Sequence, residues 1–246
     1  GISSEAASLA GTLKLGKLIY LYDDNRISIE GPTDMAFTED VEGRFRALGW
    51  DVQRVDSEND LDGIEAAIRR AQAATRQPSL IIVPTTIAFG SPHKAGSAAA
   101  HGEPLGEEEV RATKEAMGWP AEPPMFIPEP ARKRFREVLH KGQRQQHEWE
   151  SRLSAYAAAF PEDAEEWHRR MSGRLPKGWD EVLPVFRSED GPLATRVASG
   201  RVLNLLSQRM EELIGGSADL GSSNYTLIKG AADFSAADYG GRNLHF

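Results

Sequence analysis

The chain reads as an α/β protein built on part of a doubly wound parallel sheet. Three observations predict this: short apolar runs suited to buried strands, helix-period patterns between them, and turn residues where each run stops. Residues 4–15, rich in Ala and Leu with Ser3 or Ser4 as N-cap, form a helix leading into a strand over 18–22. Residues 38–48 carry Val41, Phe45 and Leu48 at helical spacing, and Gly49 ends that helix before a strand over 51–55. A further helix over 61–74 runs through Leu61, Ile64, Ile68 and Ala71 to a buried strand over 80–83. Strands that alternate with helices in this way pair in parallel.

Beyond these strands the expected elements are helices joined by loops. Residues 88–104 have no periodicity and form a long loop after a strand, a place where compact domains often carry function. Residues 107–117 form a helix whose three leading acids suit its positive end. A long solvated helix over 131–160 and a shorter one over 163–171 make a helical extension. Gly- and Pro-rich turns over 173–192 read as a linker. A helix over 195–210 then opens a second α/β domain.

Composition narrows the function. With 246 residues, 40% hydrophobic and 27% charged, the chain has the make-up of a globular protein with a substantial core. Its net charge of -8 argues against a nucleic-acid surface. No apolar run reaches the ~20 residues of a membrane span. The absence of Cys excludes disulfides, thiolate catalysis and Cys-ligated zinc, and the cytoplasm is the expected compartment.

The segment from Leu21 to Gly31 carries the clearest chemical signal. An apolar run stops in Asp23, Asp24 and Asn25, and the carboxyl ends of parallel strands are where open α/β sheets bind ligands. The Asn25 amide oxygen and the Ile27 backbone carbonyl suit a hard cation such as Mg²⁺, which takes oxygen ligands and keeps phosphates or waters in its shell. The plainer alternative is an acidic turn, with Asp23 and Asp24 capping it. Among six His residues, His93, His140, His147 and His168 read as surface or hydrogen-bonded groups. His101 stands apart because it lies in Ala-His-Gly within the long loop.

Residues 1–31 resemble the cofactor-diphosphate segment of transketolases. Phe89-Gly-Ser-Pro92, Ala100-His-Gly-Glu-Pro-Leu-Gly106 and Gly215-Gly-Ser-Ala-Asp-Leu-Gly-Ser-Ser-Asn224 resemble three further signatures of that family, in its order. The resemblance implies thiamine diphosphate and Mg²⁺ as cofactors, with Ca²⁺ or Mn²⁺ as substitutes, and transfer of a two-carbon ketol unit between ketose and aldose phosphates. It places residues 1–172 in a diphosphate-binding domain, 173–192 in a linker and 193–246 at the start of a pyrimidine-binding domain. It also implies that Gly1 lies beside the diphosphate, that Asn25 and Ile27 ligate the metal, and that His101 touches both diphosphate and sugar. Arg196 and Ser223 would hold the sugar phosphate, where a guanidinium fork matches phosphate oxygens. Asp219 would approach the cofactor from the neighbouring subunit of a homodimer, and His245 would serve placement rather than catalysis.

The family's Gly-Asp-Gly block, with its Asp metal ligand, and its Gly-Val-Arg-Glu run, with the Glu that activates the cofactor, are not in this sequence. The expectation is therefore an internal piece of a longer enzyme, inactive alone. The alternatives are a non-catalytic folding or subunit-contact piece, or a related deoxyxylulose phosphate synthase or phosphoketolase. Two residues depart from the family pattern. Pro84 stands where a basic residue is usual at a strand end, and Ala88 replaces a Gly, which draws attention to the loop geometry that follows.

Overall fold

The computed structural model describes residues 2–246, and the chain parts into two compact units between Phe126 and Ile127. The expected diphosphate contact of Gly1 lies outside the described residues.

In the first unit, strands β1 (Ile19–Asp24), β2 (Asp51–Arg54) and β3 (Ser79–Pro84) form a parallel sheet in the order β1-β3-β2. Helices α1 (Ile2–Thr12), α2 (Val41–Ala47) and α3 (Leu61–Ala73) alternate with them, and α4 (Glu107–Ala116) follows the long loop. The central strand explains the layering, because its side chains alternate between faces. Leu80 and Ile82 join Ala7, Ala10, Trp50 and Val52 in a core against which Val41 and Phe45 of α2 pack. Ile81 and Val83 join Val55, Ala67 and Ala71 of α3 on the other face. Each fully buried aliphatic side chain of this kind is worth about 1.5–3 kcal/mol relative to exposure. Trp50 adds a directional tie, its Nε1–H donating to the Ala7 carbonyl at 2.8 Å.

Two local expectations change. Strand β1 does not stop at Tyr22 but runs on through Asp23 and Asp24, which lie in register with Val83 and Pro84. Main-chain pairing continues at the carboxyl edge whatever the side-chain polarity. Helix α1 begins at Ile2, so Ser3 and Ser4 lie inside it and do not cap it. Pro84 closes β3, as its missing N–H allows.

In the second unit, the 31-residue helix α5 (Glu129–Ala159) has no buried residue. It is followed by α6 (Pro161–Met171), α7 (Thr195–Leu206), β4 (Gly215–Ser217), the single turn α8 (Gly221–Asn224) and β5 (Asn243–His245). Strands β4 and β5 pair in parallel, an element the sequence reading lacks. Residues 173–192 contain no α-helix or strand, only a 3₁₀ turn, Ser188–Asp190. Arg169 donates to Glu212 at 2.8 Å and Arg170 to Glu211 at 3.3 Å, tying α6 to the segment before β4. Glu166 braces both guanidiniums, and hydrogen bonds from Arg169 and then Arg170 hold its carboxyl down at about 2. Among the described residues no helix is long and apolar enough to cross a membrane.

Candidate functional site

Both segments singled out in the first unit leave the sheet at one edge. β1 and β3 are paired parallel neighbours, so the Asn25 turn and the loop carrying His101 begin side by side at their carboxyl ends. The two roots are joined directly: the Thr85 hydroxyl donates to Asp23, and the Thr85 N–H donates to the Asp24 carbonyl at 3.3 Å. Asp24 lies within 3.6 Å of the Arg54 guanidinium and 3.9 Å of that of Arg26. Both acids thus serve the strand ends, and the turn is capped by Asn25 instead.

The Asn25 turn is built from its own residues. Its Oδ1 accepts the Ile27 N–H at 3.0 Å, which bends the chain and leaves Arg26 in the left-handed region at φ 59°. Residues 26–33 then close a miniature hairpin: Ser28 N–H donates to Gly31 O at 2.8 Å and Thr33 N–H to Arg26 O at 2.9 Å, around an Ile27–Pro32 bridge. In this arrangement no donor among the described residues reaches the Ile27 carbonyl. Asn25 Oδ1 keeps a second lone pair. Two neutral oxygens are therefore available on one turn, which fits a hard cation that brings further oxygen ligands with it. Among the described residues no group of three or more His, Asp or Glu side chains is placed to hold a metal.

The second loop presents His101 from the end of a short 3₁₀ turn, Ala98–Ala100, with its N–H donating to Ala98 O at 3.0 Å. The His101 side chain is exposed and has no hydrogen-bond partner among the described residues. His93 is hydrogen-bonded, its Nδ1 lying 2.8 Å from Glu109 Oε2. Glu109 is the residue that sequence reasoning missed. It looks like one of three acids at a helix start, and nothing in its spacing reveals that it turns back onto the loop.

In the second unit Arg196 is the second residue of α7 and is exposed; Ser223 lies in α8 and is exposed too. The two helices meet where Gly200 faces Tyr225, so close that an added Cβ would stand 2.5 Å from the Tyr225 Cβ and 2.8 Å from its carbonyl oxygen. Asn204 fastens the following segment, donating to Gly200 O and Leu227 O and accepting from Lys229 N–H at 2.8 Å. Asp219 is exposed in the left-handed region at φ 53°, its N–H donating to Phe246 O at 3.1 Å. His245 Nε2 lies 2.9 Å from Asp233 Oδ1. Asn243 is buried and bonds Ile228 and Ala231, a second fastener without a sequence signal.

Comparison with known proteins places this architecture. Residues 1–176 match the family described as transketolase, thiamine diphosphate binding domain. The chain is similar to the transketolase of Bacillus subtilis, with 45% identity over 247 residues covering 100% of this chain and 37% of that protein. It is similar also to that of Halalkalibacterium halodurans, at 48% identity with the same coverage. The structure of a Pichia stipitis transketolase in complex with sedoheptulose 7-phosphate matches with a TM-score of 0.93 and 41% identity, over 100% of this chain and 37% of that one. The chain therefore spans about 37% of the length of the relatives it matches. A family match across most of the chain, with the fold shared from end to end, shows that the chain belongs to the transketolase family.

Proposed function

We propose that this chain contributes the metal-and-diphosphate edge, and the first part of the sugar-phosphate cradle, of an enzyme that transfers a two-carbon ketol unit between ketose and aldose phosphates. In this reading residues 1–172 belong to the diphosphate-binding domain, 173–192 to the linker and 193–246 to the pyrimidine-binding domain. The working enzyme is a homodimer in the cytoplasm. Thiamine diphosphate, when bound, supplies the electron sink needed to cleave a carbon–carbon bond beside a carbonyl. Asn25 Oδ1 and the Ile27 carbonyl would hold Mg²⁺, whose charge would offset that of the diphosphate. The exposed His101 imidazole donates a hydrogen bond to the substrate and exchanges a proton with it. Arg196 and Ser223 bind the sugar phosphate, and Asp219 reaches the cofactor held by the neighbouring subunit.

One observation carries the reading. The turn with two available oxygens and the loop with the unpartnered His101 rise from adjacent parallel strands at the edge where open α/β sheets take ligands.

The test is calorimetry on a polypeptide that joins this chain to the family's Gly-Asp-Gly and Gly-Val-Arg-Glu segments. Thiamine diphosphate is expected to bind only with a divalent cation. Asn25→Ala should weaken that binding by about 1–3 kcal/mol, the scale for losing a polar contact to a charged group. Residues 1–246 alone should show no ketol transfer from xylulose 5-phosphate to ribose 5-phosphate, since groups that act as a unit lose nearly everything when one is missing. Unchanged affinity in Asn25→Ala would remove Asn25 from the metal shell.

A further inference from the structure

His101 is held by no side chain, so its position depends on the backbone that carries it. That backbone leads back, bond by bond, to one carboxylate. Glu109, the third residue of α4, accepts the Ser91 hydroxyl and the His93 N–H at 2.9 Å, and meets the His93 ring at 2.8 Å. Ser91 Oγ in turn accepts the Lys94 N–H at 3.1 Å. The Lys94 carbonyl receives the Ser97 hydroxyl at 2.7 Å and the Ser97 N–H at 3.2 Å. Ser97 O then receives the Ala100 N–H at 3.1 Å, which sets the 3₁₀ turn that ends at His101. A second tie closes the circuit: Lys94 Nζ donates to Leu105 O at 3.0 Å, joining the far side of the loop to the near side just before α4.

We propose that Glu109 is a positioning residue for His101, acting through Ser91, Lys94 and Ser97 to hold the loop in the conformation that presents the imidazole at the sheet edge. The carboxylate is suited to the task because one ionised group accepts three donors at once, and hydrogen bonds to an ionised acceptor are about twice as strong as neutral ones. Its side chain is only 11% exposed. The Ser91 hydroxyl first, and then the His93 N–H and ring, hold its carboxyl down at about 2, so it stays ionised throughout the neutral range. The functional consequence rests on the proposed role of His101, but the loop device itself does not.

The test uses residues 1–246 without cofactor, so failure of the cofactor reading leaves it intact. Amide hydrogen exchange and the imidazole signals of His93 and His101 are compared in the parent, Glu109→Gln, Glu109→Asp and Ser91→Ala. In Glu109→Gln, exchange across residues 94–101 should rise roughly tenfold or more while β3 stays protected, and the His101 signal should move toward that of an unstructured peptide. Glu109→Asp, which keeps the charge, should restore part of the protection. Ser91→Ala breaks the relay yet keeps the His93–Glu109 pair, so it should free residues 94–101 and leave the His93 signal in place; it carries the decision if Glu109→Gln also loosens β3. Changes confined to residues 91–93, with residues 94–101 and His101 unmoved in Ser91→Ala, would overturn the proposal.

Discussion

Ala88 shows how much one residue can record. Its φ of 53° lies in the left-handed region, where a Cβ costs roughly 1–2 kcal/mol. The position is fixed from both sides, since Ser91 N–H donates to the Ala88 carbonyl at 3.0 Å and Phe89 N–H to Thr86 O at 3.0 Å. A Gly there would relieve the crowding and give back some unfolded-chain entropy, about 0.4–1 kcal/mol. Ala88→Gly should therefore stabilise the chain by about 0.5 kcal/mol, read as a higher urea midpoint with an unchanged slope. The departure at Ala88 from the Gly that the family resemblance implies was legible in the sequence. The bond from Asn25 Oδ1 to the Ile27 N–H was not, because it depends on a left-handed Arg26 that no pattern marks. Glu109 was hidden for a similar reason: charge at a helix start has a sufficient local explanation, and its partners lie 16 and 18 residues away.

At the level of elements, periodicity found the helices and tertiary contacts decided where they stop. Helix α7 ends at Leu206, four residues before the expected Met210. The Arg242 guanidinium, from the other end of the unit, takes the carbonyls of Ser207, Met210 and Glu211 at 3.1–3.2 Å, and a single sequence window cannot contain both partners. The meeting of α7 and α8 was equally invisible, because Gly200 reads as a weak point in a helix when it is a point of close approach. Gly200→Ala would drive a methyl group into the backbone and Cβ of Tyr225, whose own φ of 57° leaves it little room to retreat. The expected cost is about 1–3 kcal/mol, the range for overpacking, despite the better helix propensity of Ala. Urea unfolding should show the loss, and exchange at α8 should accelerate with it. A neutral or stabilising result would mean that α7 and α8 do not meet tightly at Gly200 and Tyr225.

Across the whole molecule, the strands and their parallel sense could be read from apolar runs separated by helices, whereas their order could not. The central place of β3 follows from its four consecutive buried apolar residues, Leu80 to Val83, but a run of that length suits any interior strand and does not say which neighbours flank it. The small β4–β5 sheet escaped notice because Gly215–Ser217 has almost no side chain to show a pattern. The β1-β3-β2 order has an outcome that reaches beyond this one chain. Because β1 and β3 are neighbours, Thr85 can bond Asp23, and the loops that follow the two strands share a single hinge pin. Changes on either side of that pin should not be independent. In a double-mutant cycle, Asp23→Asn and Thr85→Val should together cost less than the sum of the two, with a coupling of about 0.5–1 kcal/mol in urea titrations; strict additivity would show the bond carries nothing. Positions 23 and 85, sixty-two residues apart in the chain, should then be replaced across relatives as a pair or not at all.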